Sequence, residues 1–320
     1  MNNFKKIGLS ALAGSLVAFS AHAGELSATG SASLTMSDSD TNGTALSGNQ
    51  FSMGDSITLA GSGEMDNGMT ISVSFEIDND DTGGGNVYDS HSMTLDTNGM
   101  GTITFAGHGG SSAMSALDDT TPNAYEESWD AVAGADTGTR VNGSSGDNMF
   151  TYKSPVVSGA QVTMAYLNAS AAVTAVSYTD FAISYSPEMV DGLTVGYGQG
   201  DTEETAGTEI ENTAMYVKYT YGSVTVGYQE NEADGAATSS DIDFEAFGIS
   251  YAVSDNLSIG YSQSESKVAS DAQAQEASGI SASFTAGGMT IAGVMNDVDN
   301  VSGVAANDTE GYELNISFAF

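Results

Sequence analysis

The strand character of the chain is clearest in 69–77, which reads MTISVSFEI. Apolar side chains occupy its odd positions, and polar or charged side chains occupy its even positions. A period of two residues is that of a β-strand, whose successive side chains point to opposite faces of the sheet. The C-terminal run 312–320, YELNISFAF, repeats the pattern. Both segments predict strands with one apolar and one polar face, a pattern that a soluble two-sheet sandwich would also produce.

Outward from these two segments, the links between predicted strands alternate in length. Short links rich in Asn, Asp and Gly, such as 66–68 and 287–288, alternate with long polar links, such as 201–211 and 297–309. Asn, Asp and Gly readily adopt the positive φ that tight turns need. Short links on one side and long acidic links on the other are typical of an all-β transmembrane antiparallel β-barrel.

The same alternation predicts about 16 strands. Their starts are predicted near Glu25, Phe51, Met69, Tyr88, Gly101, Asn148, Gln161, Ala175, Leu193, Asn212, Ser223, Ile242, Leu257, Ala277, Met289 and Glu310. An even number of strands places both ends of the barrel on the periplasmic side, where the short links lie. A barrel of this size leaves an aqueous channel, whereas an eight-stranded barrel is filled by its own side chains.

Composition and charge exclude several classes of protein. The chain has 42 acidic residues against 6 Lys and Arg, a formal net charge of −36. A field of this sign repels nucleic acid and attracts cations, so we expect no nucleic-acid partner. The absence of cysteine rules out disulfides and thiolate metal sites. His91 and His108 lie in no nucleophile motif, and we therefore expect no enzymatic activity.

The N-terminus has the three parts of a signal peptide. Lys5 and Lys6 form a basic start, 7–19 is an apolar core, and Ala21 and Ala23 flank a small-x-small cleavage site. The apolar core is too short for a membrane-spanning helix, which needs about 20 residues. We predict a signal peptide at 1–23, a barrel at 24–320, and export to the cell outer membrane. Loss of the two lysines changes the formal charge to −38.

The third long link, 108–147, is far longer than the others. Unstructured links of this length are usually functional. Its acidic residues are Asp118, Asp119, Glu126, Glu127, Asp130 and Asp136. For any one of them, a simple exposed loop charge is the alternative interpretation.

Four features together resemble a Gram-negative general porin, of the trimeric 16-stranded type found in alphaproteobacteria. The chain ends in the aromatic Phe320, and 152–159 and 185–197 resemble the family's strand-turn-strand unit. The segment 118–127 resembles part of the family's third loop, which folds inward and narrows the pore. The resemblance covers essentially all of the mature chain.

This resemblance implies a homotrimer in outer-membrane lipid and lipopolysaccharide, with Phe320 recognised by the barrel-assembly machinery. The predicted constriction consists of Asp118, Asp119, Glu126, Glu127, Asp130, Arg140 and Lys153. The family's cluster of wall arginines is missing, because Arg140 is the one Arg of the chain. By strand parity, Lys153 and Lys218 point into the lumen. We therefore expect a water-filled, cation-preferring channel for passive diffusion of ions and small hydrophilic solutes.

Two other function classes stay open. A non-channel outer-membrane barrel, adhesin-like or structural, would have a tightly packed inner face, and a secreted soluble β protein would need neither Phe320 nor alternating links. Separately, Asp38, Asp40 and Asn42 match the first half of a calcium-binding loop, with an acidic turn as the alternative. Apart from this weak calcium candidate, we expect no cofactor.

Overall fold

The computed structural model describes residues 26–39, 50–78, 89–117, 119–135, 145–168, 177–203, 209–235 and 237–320. The predicted signal peptide at 1–23 lies outside the described residues, as do Asp40 and Asn42 of the calcium candidate, and Asp118, Asp136 and Arg140 of the third link. Asp38 is described and lies at the end of the first strand.

Eighteen strands follow one another along the described chain. Their bounds are β1 (Ser27–Ser39), β2 (Gln50–Glu64), β3 (Thr70–Asp78), β4 (Ser90–Asp96), β5 (Thr102–His108), β6 (Gly110–Ser111), β7 (Ser145–Gly146), β8 (Met149–Lys153), β9 (Ala160–Leu167), β10 (Ser177–Tyr185), β11 (Leu193–Glu203), β12 (Glu209–Tyr221), β13 (Val224–Asp234), β14 (Ile242–Ser254), β15 (Leu257–Val268), β16 (Gln275–Ala286), β17 (Met289–Asp299) and β18 (Thr309–Ala319). Short 3₁₀ turns occur at Met114–Ala116, Thr238–Ser240 and Val301–Gly303. Among the described residues, no helix has the length and apolar character needed to cross a membrane.

Sixteen of these strands form one closed antiparallel barrel. Each strand pairs with its neighbour in sequence, except that β5 pairs with β8, because β6 and β7 form a separate two-stranded sheet. The barrel closes where β18 pairs with β1, in a register that sets Leu34 opposite Ile316. The predicted number of strands is confirmed, and every predicted start lies within three residues of an observed one.

The alternation of each strand divides the barrel wall into two faces. Exposed apolar side chains, such as Phe181, Met295 and Leu314, occupy the outward positions of β10, β17 and β18. Their neighbours in sequence, such as Asp180 and Asn296, point to the other face and are buried. The wall therefore has an apolar outer surface and a polar inner surface, as a barrel in lipid requires.

Short turns connect the strands at one end of the barrel. At the turn between β10 and β11, Gly192 has a φ of +79°, a left-handed conformation that favours glycine. The turns between β12 and β13 and between β16 and β17 have Gly222 and Gly287 at similar positive φ values. These tight turns fix the register of their hairpins, and the strand ends that lead into the long links lie at the opposite end of the barrel.

Candidate functional site

The third link starts and ends as a continuation of the wall. Above β5 and β8, the short strands β6 and β7 pair with each other, and His108 Nδ1 lies 2.6 Å from Asp147 Oδ1. This contact joins the two ends of the link. The segment 112–135, which we call the third loop, then leaves the wall.

Buried polar side chains of the wall hold the first half of the third loop. Asp180 on β10 accepts hydrogen bonds from the backbone N–H groups of Ala113, at 3.1 Å, and Met114, at 2.7 Å. Gln229 on β13 accepts two bonds from Thr120, both at 2.8 Å. Because a buried backbone N–H without a partner is costly, these side chains determine where the loop runs.

The second half of the loop is held in the same way by later strands. Ser281 Oγ on β16 accepts from the Ala124 N–H at 3.0 Å, and Asn296 Oδ1 on β17 accepts from the Ala131 N–H at 2.8 Å. Asn296 also donates to the Glu127 carbonyl at 3.0 Å. All these wall partners lie on the polar face, opposite the exposed apolar side chains. The third loop therefore lies inside the barrel and follows the wall from β10 to β18.

A row of inward glycines makes room for the loop. A Cβ on Gly227 would lie 2.6 Å from Pro122 Cδ, and a Cβ on Gly260 would lie 2.6 Å from the Ala124 nitrogen. The members of this row, which we call the glycine bed, are Gly198, Gly227, Gly248, Gly260, Gly279 and Gly311. They let the backbone of the loop approach the backbone of the wall more closely than any side chain would allow.

Two apolar clusters complete the packing of the loop against the wall. Near the start, Met114 and Leu117 pack with Ala182 of β10 and Ala214 of β12. Near the end, the Trp129 ring meets the Phe244 ring edge-on, with centroids 5.4 Å apart. Both ends of the loop bury apolar surface against the wall. Detachment of the loop would expose this surface to the water of the lumen, which costs free energy.

Four of the six predicted loop acids are described, and they lie in the middle of the loop. Asp119 and Asp130 are exposed, while Glu126 and Glu127 are half-buried. The carboxylates of Glu126, Glu127 and Asp130 lie within 4.8 Å of one another, and the Glu127 N–H donates to Asp130 at 3.0 Å. Nothing else in this cluster points to a metal ion, and we assign none. The structure thus brings four predicted constriction acids onto one short segment.

Burial raises the pKa of two of these acids. Burial raises the pKa of Glu127 to about 7, and the neighbouring Asp119 adds to the shift. Burial also raises the pKa of Glu126, with the negative charges of Asp130 and Glu313 acting in the same direction. Near neutral pH, Glu127 is therefore divided between its neutral and charged forms.

The two lumen lysines occupy different places. Lys218 on β12 lines a cavity of 550 Å³ together with Asp119 and Glu127 of the loop. Lys153 lies at the last position of β8, beside the short turn that contains Pro155. The alternation of strands predicted that both face the lumen, but Lys218, which is absent from the predicted constriction set, is the one beside the loop acids.

Sequence reasoning missed the residues that position the loop. In the sequence, Asp180, Gln229 and Asn296 are polar residues at inward strand positions, and nothing there distinguishes them as loop anchors. The glycine bed had a signal in the sequence, because glycines recur at inward positions of six of the eight strands from β11 to β18. What the sequence does not reveal is which loop atoms lie over each of them.

The comparison with protein families decides the class of this barrel. A family model for Gram-negative porins matches residues 8–278. The chain belongs to this family. It is an outer-membrane porin, in agreement with the resemblance found in its sequence. A search of curated proteins finds no match.

Solved porin structures share the fold at low sequence identity. An anion-selective porin from Comamonas acidovorans is 14% identical, with a TM-score of 0.71 over 92% of this chain and 99% of that one. OmpF of Salmonella typhi, in complex with daunomycin, is 15% identical, with a TM-score of 0.72 over 93% and 98% of the two chains. A Rhodopseudomonas blastica triple mutant is 16% identical, with a TM-score of 0.66 over 92% and 100%. At these identities the likeness concerns the fold alone.

Proposed function

We propose that this porin is a water-filled channel for passive diffusion of ions and small hydrophilic solutes, with a preference for cations. The observation that carries the proposal is the charge of the loop inside the barrel. Asp119, Glu126, Glu127 and Asp130 lie together on it, and among the described strands only Lys153 and Lys218 bring positive charge to the lumen. We propose no catalytic role for any residue.

The preference follows from the physics of a narrow passage. Low-dielectric walls focus the field of the lining charges, and rings of Asp and Glu enrich cations in this way in cation channels. Screening limits the effect, because the Debye length is about 8 Å at physiological salt and about 3 Å at 1 M. The preference should therefore grow as salt concentration falls.

The selectivity of one structural neighbour points the other way. The Comamonas acidovorans protein is described as anion-selective. At 14% identity, a shared fold does not carry over the charges of the lining, which decide selectivity. The loop acids of this chain therefore outweigh that neighbour in our proposal.

A reversal potential across a KCl gradient in a planar bilayer tests this function. We expect a potential of the cation-selective sign at pH 8. The double variant Glu126→Gln, Glu127→Gln should weaken it, and Glu188→Gln, in the short turn before β11, serves as the control. An anion-selective sign would refute the proposed preference, and absence of conductance would favour the alternative of a non-channel barrel.

We also propose export by the leader at 1–23, recognition of Phe320 by the barrel-assembly machinery, and a homotrimer embedded in lipid and lipopolysaccharide. Support for the assembly signal comes from backbone pairing: Phe320 donates to the Gly30 carbonyl at 2.9 Å and accepts from its N–H at 2.8 Å. The last residue thereby joins the barrel seam. Deletion of Phe320 should lower the yield of heat-modifiable barrel in outer-membrane fractions, while Phe320→Tyr should not.

Support for the homotrimer comes from the outer face of β2. Asp55 is exposed there between the outward side chains of Met53 and Ile57. A carboxylate facing lipid is costly, whereas a protein neighbour can provide it with a hydrogen-bond donor. Asp55→Leu should leave the barrel folded but weaken the trimer on a native gel, and Ile57→Leu is the matched control.

A further inference from the structure

The wall that the third loop leaves uncovered has an inner face rich in serine and threonine. The hydrogen bonds of the loop to the wall go to strands from β10 to β18, so the inner face of β1–β5 lies open to the lumen. Its orientation follows from a chain of contacts. Tyr125 of the loop donates to Glu313 on β18, and Asn315 on the same face donates to Thr35 on β1 at 2.8 Å. The odd-numbered positions of β1 therefore point inward.

Every inward position of β1, from Ser27 to Ser39, is serine or threonine. Hydroxyl groups continue across the next strands, where Ser62, Ser72, Thr94 and Thr104 are successive cross-strand partners. We call the inward serines and threonines of β1–β5 the hydroxyl wall. These five strands contain no Lys or Arg, and the acids on the same face are Glu64, Glu76, Asp78 and Asp96.

A hydroxyl group can both donate and accept a hydrogen bond. A row of them can replace the water around a solute that is itself rich in hydroxyl groups, at nearly the same enthalpy. An apolar part of a solute receives no such replacement and must keep its surrounding water. The hydroxyl wall therefore distinguishes solutes by hydroxyl content, a property independent of the charge that the loop acids distinguish.

We propose that the hydroxyl wall makes this porin favour, among solutes of equal charge, those rich in hydroxyl groups, namely small sugars and their amino derivatives. This inference rests on the proposed diffusion channel and names its preferred cargo. An amino sugar suits both sides of the passage, since its ammonium group faces the loop carboxylates and its hydroxyl groups face β1–β5. A sugar acid has the hydroxyl groups but the wrong charge.

The test compares two cations that share a six-membered ring and one ammonium group. Glucosamine carries hydroxyl groups and cyclohexylammonium carries none. Bi-ionic reversal potentials of the purified porin in a planar bilayer give the ratio of their permeabilities. We expect this ratio to exceed the ratio of their bulk mobilities about fivefold, the effect of roughly one net hydrogen bond. A ratio equal to that of the bulk mobilities would overturn the inference.

Matched variants assign the effect to the wall. Thr29, Ser33 and Ser37 lie at alternate inward positions of β1. The variant Thr29→Val, Ser33→Ala, Ser37→Ala removes part of the wall and should lower the ratio toward that of the bulk mobilities. The variant Thr29→Ser, Ser33→Thr, Ser37→Thr keeps the hydroxyl groups and should retain the preference. An equal ratio in the two variants would also overturn the inference.

The same bilayers separate this inference from the proposed function. A KCl gradient reports the charge preference, which neither wall variant should change, and heat-modifiable migration reports the fold. Cation selectivity in KCl without a preference for glucosamine would refute the inference alone. Absence of conductance in the original chain would refute both.

Discussion

Replacement of Gly260 by alanine should displace the third loop from the wall. The new Cβ would lie 2.6 Å from the Ala124 nitrogen and 2.9 Å from Ser281 Oγ, the donor and acceptor of one loop anchor. Ordinary contact begins at 3.4 Å, so the loop must move by about 0.8 Å. Such a shift breaks the anchor and leaves the Ala124 N–H without its partner, which costs about 1–3 kcal/mol. States with a displaced loop should then become about ten to a hundred times more populated.

The assay is single-channel recording of Gly260→Ala in a planar bilayer. Because the loop moves away from the wall and into the lumen, we expect a lower mean conductance and more open-channel noise. Gly61→Ala is the matched control, since a Cβ at Gly61 on β2 has no atom within 4 Å. If the two variants gave the same conductance and noise, the glycine bed would not hold the loop as described.

Three further predictions concern the charges and anchors of the loop. The pKa of Glu127 is raised to about 7, so its carboxyl is mostly neutral below that pH and mostly charged above it. Cation preference should therefore rise between pH 6 and pH 8. Glu127→Gln should remove this rise from reversal potentials measured across the pH range. Asp180→Ala leaves two backbone N–H groups of the loop without their acceptor, and we expect a loss of about 1–3 kcal/mol in loop anchoring, measured as faster amide hydrogen exchange at residues 113–114. Lys218→Gln should increase cation preference at low salt more than Lys153→Gln does, because Lys218 lies beside the loop acids; equal reversal potentials for the two variants would contradict this placement.

The strands could be predicted from the sequence because their signal is local. Each strand needs an apolar outer face and a polar inner face, and the period of two in 69–77 records this requirement directly. The turns were equally readable, since Gly222 and Gly287 stand where the backbone needs a positive φ. For these reasons strand number and strand starts agree closely with the structure.

The course of the third loop could not be predicted from its residues in the same way. Its anchors join positions far apart in sequence, as when Thr120 bonds to Gln229 and Tyr125 to Glu313. No periodicity records which strand meets which loop residue. Parity predicted that Lys153 and Lys218 face the lumen, but parity gives a direction and not a height, so it did not identify Lys218 as the neighbour of the loop acids.

The seam between β1 and β18 has a consequence for biogenesis. Ser31 on the first strand pairs with Ala319 on the last strand, so the seam joins the two parts of the barrel that are farthest apart in sequence. Every other pairing between barrel strands joins strands that follow one another along the chain, but the edges of β1 and β18 stay unpaired until the final strand is present. Open edges bind other strands indiscriminately, and contacts between distant residues form slowly. The two free edges therefore need protection until the barrel closes, and a chain that stalls before its last strand would expose them to aggregation.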